Sequence, residues 1–258
     1  NSLNSLNPLT YIGIIFCGLF LVFCYHFSLW SYMGVPNLPV DGIAKAFADL
    51  HGVLAPSDCF QLGFDVYLSN PCDQWERVHA YGSPWLGLGY IGINNKDLIV
   101  FAITINALFL IMSFIIINPS NTVEYAAACA LILSPAVLLG FERANVDLLL
   151  FVVLCFAGVI AANFRILVNQ LIASFVIACA TILKIYPLFS FFALLIRQTN
   201  ITFMLWIIIL FFSMISVWYY THPLELGYIF GANPVPHDSL VFGGGKLFYL
   251  LFNSKEYN

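Results

Sequence analysis

Charge is what this sequence has least of. Nine Lys and Arg and thirteen Asp and Glu among 258 residues make it 9% charged, against about 25% for a soluble domain. With 61% hydrophobic residues and a mean hydropathy of +0.92, a soluble globular class is excluded and a polytopic membrane protein indicated. The net charge of −4 says little by itself, and no nucleic-acid partner is expected. Internal repeats and low-complexity tracts are absent, which excludes solenoids and arrays. No His and Cys spacing fits zinc, and acids scattered along a loop do not make a divalent site, so no metal is expected. Nor does the N-terminus read as a cleaved leader. Its first apolar run is too long for an h-region and no small-residue cleavage site follows.

Long apolar runs are what the chain has instead. Seven stretches read as helices: Leu9 to Trp30, Leu98 to Ile117, Tyr125 to Phe141, Leu148 to Phe164, Ile166 to Leu183, Tyr186 to Ile196 and Ile201 to Tyr220. About 20 residues cross the hydrocarbon core. The sixth stretch, too short alone, works as the second arm of a hairpin whose turn, Lys184-Ile185-Tyr186-Pro187, is sunk into the membrane against a protein cavity. The expected architecture is an all-α bundle of about seven transmembrane or re-entrant helices. It forms one transmembrane domain over residues 1–258, with a long first loop at 31–97. Because the chain starts without Met and ends soon after a new apolar start at Leu247, it is expected to be a fragment lacking its C-terminal helices.

Polar residues are unevenly spread. The 31–97 loop holds Asp41, Asp49, Asp58, Asp65, Asp73, Glu76 and Asp97, seven of the thirteen acids. Counting crossings puts this loop, the 142–147 junction, the 184–187 turn and the segment Thr221 to Lys246 on one side. The other side receives only Asn118 to Asn121, Arg165 and Arg197 to Asn200. The count fails if residues 166 to 196 form one kinked helix. The positive-inside rule does not orient the bundle, since Arg143 and Lys184 oppose Arg165 and Arg197. Five cysteines lie in apolar runs, where a thiol acts as a small hydrophobe. Cys59 and Cys72 share the loop and are free to bridge in an oxidising compartment, which spacing alone does not decide.

The densest polar motif is Glu142-Arg143-Ala144-Asn145-Val146-Asp147, set between two membrane-length apolar runs. Ionisable groups at such depth mark a functional site by default. The bland alternative pairs Arg143 with Asp147, four apart, as a helix cap; Glu142 and Asn145 are then more polar chemistry than a cap requires.

Four segments carry a family resemblance: Phe47-Ala48-Asp49-Leu50, Ser69-Asn70-Pro71-Cys72-Asp73-Gln74-Trp75-Glu76-Arg77, the 142–147 motif, and Leu183-Lys184-Ile185-Tyr186-Pro187. In order, spacing and placement at helix ends they resemble glycosyltransferase family 87, within the C-type glycosyltransferase superfamily. Relatives favour Gly where Ala144 stands, and an Asn-Tyr-Pro run near Tyr81 to Pro84. The resemblance implies an integral-membrane, inverting, metal-independent hexosyltransferase. It would move a sugar from a polyprenyl-phosphate donor to a hydroxyl of a glycan or glycolipid acceptor. No cofactor is implied beyond the lipid-linked co-substrate. The implied location is a bacterial inner membrane, with the site and the 31–97 loop facing the periplasm or exterior.

The chemistry then sorts the residues. A base must take the acceptor proton, and partial burial beside the membrane raises a carboxylate toward useful basicity. The resemblance favours Asp49; Asp41 is the alternative, because it precedes the helix-like stretch Gly42 to Leu50, and in the superfamily the acid opens the short helix after the first span. Arg143, Lys184 and Arg77 suit a clamp on the departing phosphate. Asn145 and Asp147 would bind sugar hydroxyls or orient Arg143. Glu142, Asp73, Tyr81 and Tyr186 complete the substrate-binding set, while Trp75, Trp85 and Tyr90 serve equally as sugar platforms or interfacial aromatics. A secondary transporter or lipid-linked sugar flippase is the competing class. Its polar residues would gather near the midplane rather than at one face.

Overall fold

The computed structural model describes residues 6–27, 29, 46–163, 167–196 and 201–231. These contain no strand. Ten helices follow in order: α1 (Pro8–Phe27), α2 (Ala48–Gln61), α3 (Leu98–Ile117), α4 (Thr122–Ile132), α5 (Pro135–Arg143), α6 (Val146–Asn163), α7 (Leu167–Leu183), α8 (Leu188–Ile196), α9 (Ile201–Thr221) and α10 (Pro223–Gly231). Two 3-10 segments, Ser83–Ile91 and Asn95–Asp97, lead into α3.

Apolar surface faces outward along the long helices. In α1 a stripe at Gly13, Cys17, Leu21 and Cys24 is buried, while Tyr11, Ile15, Leu19 and Val22 stay exposed. Gly13 permits this packing, because the ring of Phe114 in α3 lies where a Cβ would stand. A helix apolar on its exposed side needs lipid there. Pro8–Phe27, Asn95–Ile117 and Met204–Thr221 are long and apolar enough to cross a membrane, and the bent pair of α4 and α5 makes a fourth candidate. The chain is thus a helical integral membrane protein, whose described residues hold three to four candidate spans and two slightly shorter apolar helices, Val146–Ala162 and Val168–Leu183.

The single helix expected over Tyr125 to Phe141 is two helices, bent by 53°. Pro135 lacks an N–H and forces the residue before it out of the helical region; Ser134 is accordingly extended, at φ −65° and ψ 149°. The tilt brings the end of α5 under α1 and α3, where Tyr25 Oη and Asn106 Nδ2 both donate to the Phe141 carbonyl. Those donors join the Ala144 N–H, which reaches the same carbonyl at 3.1 Å in the turn that ends the helix. At the opposite end of the bundle, Asn118 caps α3 with φ 41° and accepts from the Asn7 N–H and the Thr10 hydroxyl, both at 2.9 Å.

Two buried clusters result within the bundle, besides a small one of Cys59, Val66 and Leu86 in the loop. Residues of α1, α3, α5 and α6, among them Leu21, Ile105, Phe109, Leu138 and Phe141, form one together with Leu50 and Leu54 of α2. Ala173, Ile177 and Ala178 of α7, Phe191 and Leu194 of α8, and Ile207 and Phe211 of α9 form the other.

The long first loop is a folded cap over its described part. α2 buries Leu50, Val53, Leu54 and Cys59. Ser57 Oγ donates to the Leu86 carbonyl and accepts from the Gly89 N–H, fixing the 3-10 segment across it. Cys59 and Cys72 form a disulfide. Asp41 and residues 42–45 of the stretch Gly42 to Leu50 lie outside the described residues; the helix begins at Ala48.

Candidate active site

The site is built where two backbone turns face each other. α5 ends at Ala144 in the left-handed region, φ 46° and ψ 51°, with its side chain fully buried. α2 starts after Phe47, also left-handed at φ 66°. The Phe47 N–H donates to the Glu142 carbonyl at 2.8 Å, and the Phe47 ring packs on Tyr25 at 5.4 Å. Left-handed conformations cost an L-residue roughly 1–2 kcal/mol, and such strain concentrates at functional sites. Here the two turns lock Asp49 against the 142–147 motif.

Because Ala144 ends one helix before Asn145 opens the next, Arg143 and Asp147 do not share a helix face, and the cap pairing between them does not occur. Asn145 Oδ1 accepts the Asp147 N–H at 2.8 Å, capping α6. That contact fixes the amide, so Nδ2 is the group donating to Asp49 Oδ2 at 2.7 Å. Arg143 Nη1 stands 3.6 Å from Asp49 Oδ1, and its Nε 3.9 Å from Glu142 Oε2. The Arg143 and Asp49 side chains are only 16% and 17% exposed. Even so, Arg143 Nε and Nη2 are buried and make no hydrogen bond among the described residues. Asp147 Oδ1 takes Lys184 Nζ at 2.5 Å and the Tyr186 hydroxyl at 3.2 Å. The Lys184 ammonium lies 5.4 Å from the ring centre of Tyr81 and 5.7 Å from that of Tyr186, within cation–π range.

Burial raises the Asp49 carboxyl above its ordinary 3.8; Arg143, then Arg77, the Asn145 amide and Lys184 pull against that rise. A carboxylate held by cations yet still raised is suited to accept a proton.

Arg77 and Asp73 lie beside this group. Arg77 donates to Asp73 Oδ2 through Nε at 3.0 Å and Nη2 at 2.8 Å, and from Nη2 to the Ala48 carbonyl at 2.9 Å. It thereby holds the first turn of α2, and its guanidinium lies 4.4 Å from the ring centre of Trp75. Asp73 is fully buried and also accepts the Trp75 N–H at 2.7 Å, with His51 Nδ1 at 3.6 Å. Burial works to raise its carboxyl, but His51, Arg77 and the Trp75 N–H together hold it down at about 2.

Compared with known proteins, the chain matches no family model, no curated protein and no solved structure. The site therefore rests on its own geometry. Asp49, Arg77, Asp73, Tyr81, Glu142, Arg143, Asn145, Asp147, Lys184 and Tyr186 belong to one contiguous neighbourhood at one end of the bundle; Asp41 is outside the described residues. Trp85 is buried and donates to the Leu183 carbonyl at 3.2 Å, tying the loop to α7. Tyr90 is on the surface. Among the described residues, no group of three or more His, Cys, Asp or Glu gathers to hold a metal.

Sequence reasoning missed Glu225. It is buried at the start of α10 and accepts both the N–H and, at 3.1 Å, the hydroxyl of Ser83. Gly82 is necessary beside it, since a Cβ there would collide with the Ile182 carbonyl. The only advance sign was that Thr221 to Lys246 falls on the site's side of the crossing count.

Proposed function

We propose that the protein is a C-type membrane glycosyltransferase that takes its sugar from a polyprenyl-phosphate donor, with Asp49 as the general base. The acceptor hydroxyl attacks the anomeric carbon, its proton passes to Asp49, and the anomeric C–O bond to phosphate breaks. The polyprenyl phosphate leaves with the bond's electron pair, inverting the anomeric centre. Arg143, whose Nε and Nη2 make no hydrogen bond among the described residues, would stabilise that charge, and Lys184 adds a second cation. Such preorganised donors are the larger part of catalysis at a departing anion.

The observation that carries this reading is the largely enclosed Asp49 standing 3.6 Å from Arg143, two of whose nitrogens make no hydrogen bond among the described residues. A transporter needs polar groups along a path to both faces. Among the described residues the interlocked ionised groups, Asp49, Asp73, Arg77, Arg143, Asp147 and Lys184, collect at one end, while the far end offers the Asn7, Thr10 and Asn118 contacts and one exposed acid, Glu124, bonded to Ser120 and Asn121. The Cys59–Cys72 disulfide favours an oxidising compartment for the loop, hence an extracytoplasmic site.

The test is transfer of radiolabelled sugar from polyprenyl-phosphate donors to lipid or glycan in membranes containing the protein. Asp49→Asn should lower turnover roughly 10²-fold or more with donor binding retained. Full transfer in that variant would sink the assignment.

A further inference from the structure

Two cavities away from Asp49 meet at a common lip. One is a groove of about 530 Å³ between α7 and α9, walled by Phe175, Ala178, Ile182, Leu210, Met214 and Trp218. The other, about 330 Å³, is lined by Asp65, Tyr67, Ser83, His222, Glu225 and Tyr228. Thr221 and His222 border both. Each volume falls in the range of small-molecule sites, about 300–1,000 Å³.

The two halves differ in chemistry in the way an amphipathic molecule does. The groove lies along the apolar part of α9, inside the candidate span Met204–Thr221, and fits a hydrocarbon chain. The second cavity carries two acids, a hydroxyl, a histidine and two tyrosines stacked at 5.5 Å and 21°. No Lys or Arg lines either one among the described residues. A phosphate-headed lipid would meet Asp65 and Glu225 with no counter-charge, which is repulsive. Hydroxyl groups find acceptors in the carboxylates and an apolar platform in the tyrosine rings. At the neck, Trp218 Nε1 is buried with no hydrogen-bond partner among the described residues. A buried orphan donor calls for an acceptor, such as the oxygen that joins a chain to its headgroup.

We propose that this pair of cavities binds an uncharged glycolipid, chain in the groove and sugar headgroup between Tyr67 and Glu225; if the transferase reading above holds, this lipid is the acceptor. The headgroup cavity adjoins the main site through one strand of chain. Tyr67 donates from its hydroxyl to the Tyr81 carbonyl at 3.3 Å, and Tyr81 lies under Lys184. Cationic and acidic cavities separated in this way sort a lipid phosphate from a neutral lipid.

The probe is dodecyl β-glucoside with a photoactivatable diazirine in its chain, applied to the protein in phosphatidylcholine nanodiscs and mapped by peptide mass spectrometry. Label is expected within residues 174–182 and 210–222. Plain dodecyl glucoside should displace it about tenfold more effectively than dodecyl phosphate or dodecanol. Tyr228→Ala and Glu225→Gln should each weaken that displacement. Since Glu225 also holds Ser83, the exposed Asp65→Lys provides a variant that leaves the fold alone, and it should improve competition by dodecyl phosphate. Dodecanol competing as well as the glucoside would reduce the groove to a lipid-facing surface and overturn the proposal. Better competition by the phosphate in the wild type would overturn it too. Labelling is also measured in Asp49→Asn. Label retained with transfer lost supports both readings, transfer retained sinks only the assignment of Asp49 as the base, and label absent with transfer lost sinks the glycolipid site alone.

Discussion

Two aspartate–arginine pairs flank the first turn of α2 and are built to opposite ends. Asp73 and Arg77 meet at 2.8 and 3.0 Å, the carboxylate fully buried and further bonded by the Trp75 N–H. Asp49 and Arg143 stand at 3.6 Å, and two of the guanidinium nitrogens make no hydrogen bond among the described residues. One carboxyl is held down at about 2 and the other is raised. The residue types are the same. What differs is how many donors converge on the carboxylate against the cost of burying it. The closed pair fixes geometry, and the open pair keeps capacity for a substrate.

Exchanging the arginines breaks the comparison with the largest effects. Arg143→Ala should cost roughly 10²-fold in turnover and weaken donor binding, since an electrostatic donor is lost. Arg143→Lys should restore only part, because charge returns without the planar fork. Arg77→Ala should instead leave Asp73 buried without its main partner and destabilise the fold by about 3 kcal/mol, seen as a drop in thermal midpoint. If Arg77→Ala lost turnover at unchanged stability, or Arg143→Ala lost only stability, the division would be wrong.

Acid separates the two carboxyls next. With a folded value near 2 against about 3.9 unfolded, Asp73 contributes about 2–3 kcal/mol that is fully present above pH ~4 and is lost as pH falls through ~2. Asp73→Asn should remove that acid-sensitive component from unfolding curves, and an unchanged curve would count against it. Asp49 works in the other sense. Its folded form binds the proton more tightly than the unfolded chain, so its ionisation destabilises as pH rises past 3.8. For turnover, the acidic limb of the pH profile should therefore lie above the ordinary carboxylate range. In Arg143→Ala it should move higher still, because Arg143 is the strongest of the groups pulling Asp49 down. A limb that stayed put would mean another group is titrating.

Apolar length was enough to read α1, α3, α6, α7 and α9 from the sequence, with ends within a few residues, because a bilayer selects for one quantity along the chain. Counting crossings was enough to bring Asp49, the 142–147 motif and Lys184 to one end. Local backbone breaks were harder. The break at Pro135 lies within a stretch, Tyr125 to Phe141, whose apolar length reads as a single span. The folded state of the 48–97 cap was hidden as well, since α2 carries Pro56 and buries residues on most of its surface, leaving no amphipathic period to find. Which acid pairs with which cation was illegible for a plainer reason. Arg143 reaches Asp49, 94 positions away, and Asp147 reaches Lys184, contacts that depend on how helix ends meet rather than on spacing along either helix.

The smallest effect sharpens the comparison most finely, because it touches the turn that keeps the open pair open. Ala144 sits at φ 46° with no exposed surface. Ala144→Gly should relieve roughly 1 kcal/mol of left-handed strain and lose about 0.8 kcal/mol of buried methyl. Stability should then shift by less than about 1 kcal/mol, with turnover kept. Ala144→Val keeps apolarity but puts a β-branched residue where φ is positive, so it should disturb the turn and release Asn145 from Asp49. Transfer rate and thermal midpoint, measured together, check both variants. A Gly variant that folds normally but loses transfer would show that the Ala144 methyl holds Asn145 and Arg143 toward Asp49, and that strain in the turn is part of the site rather than a tolerated cost.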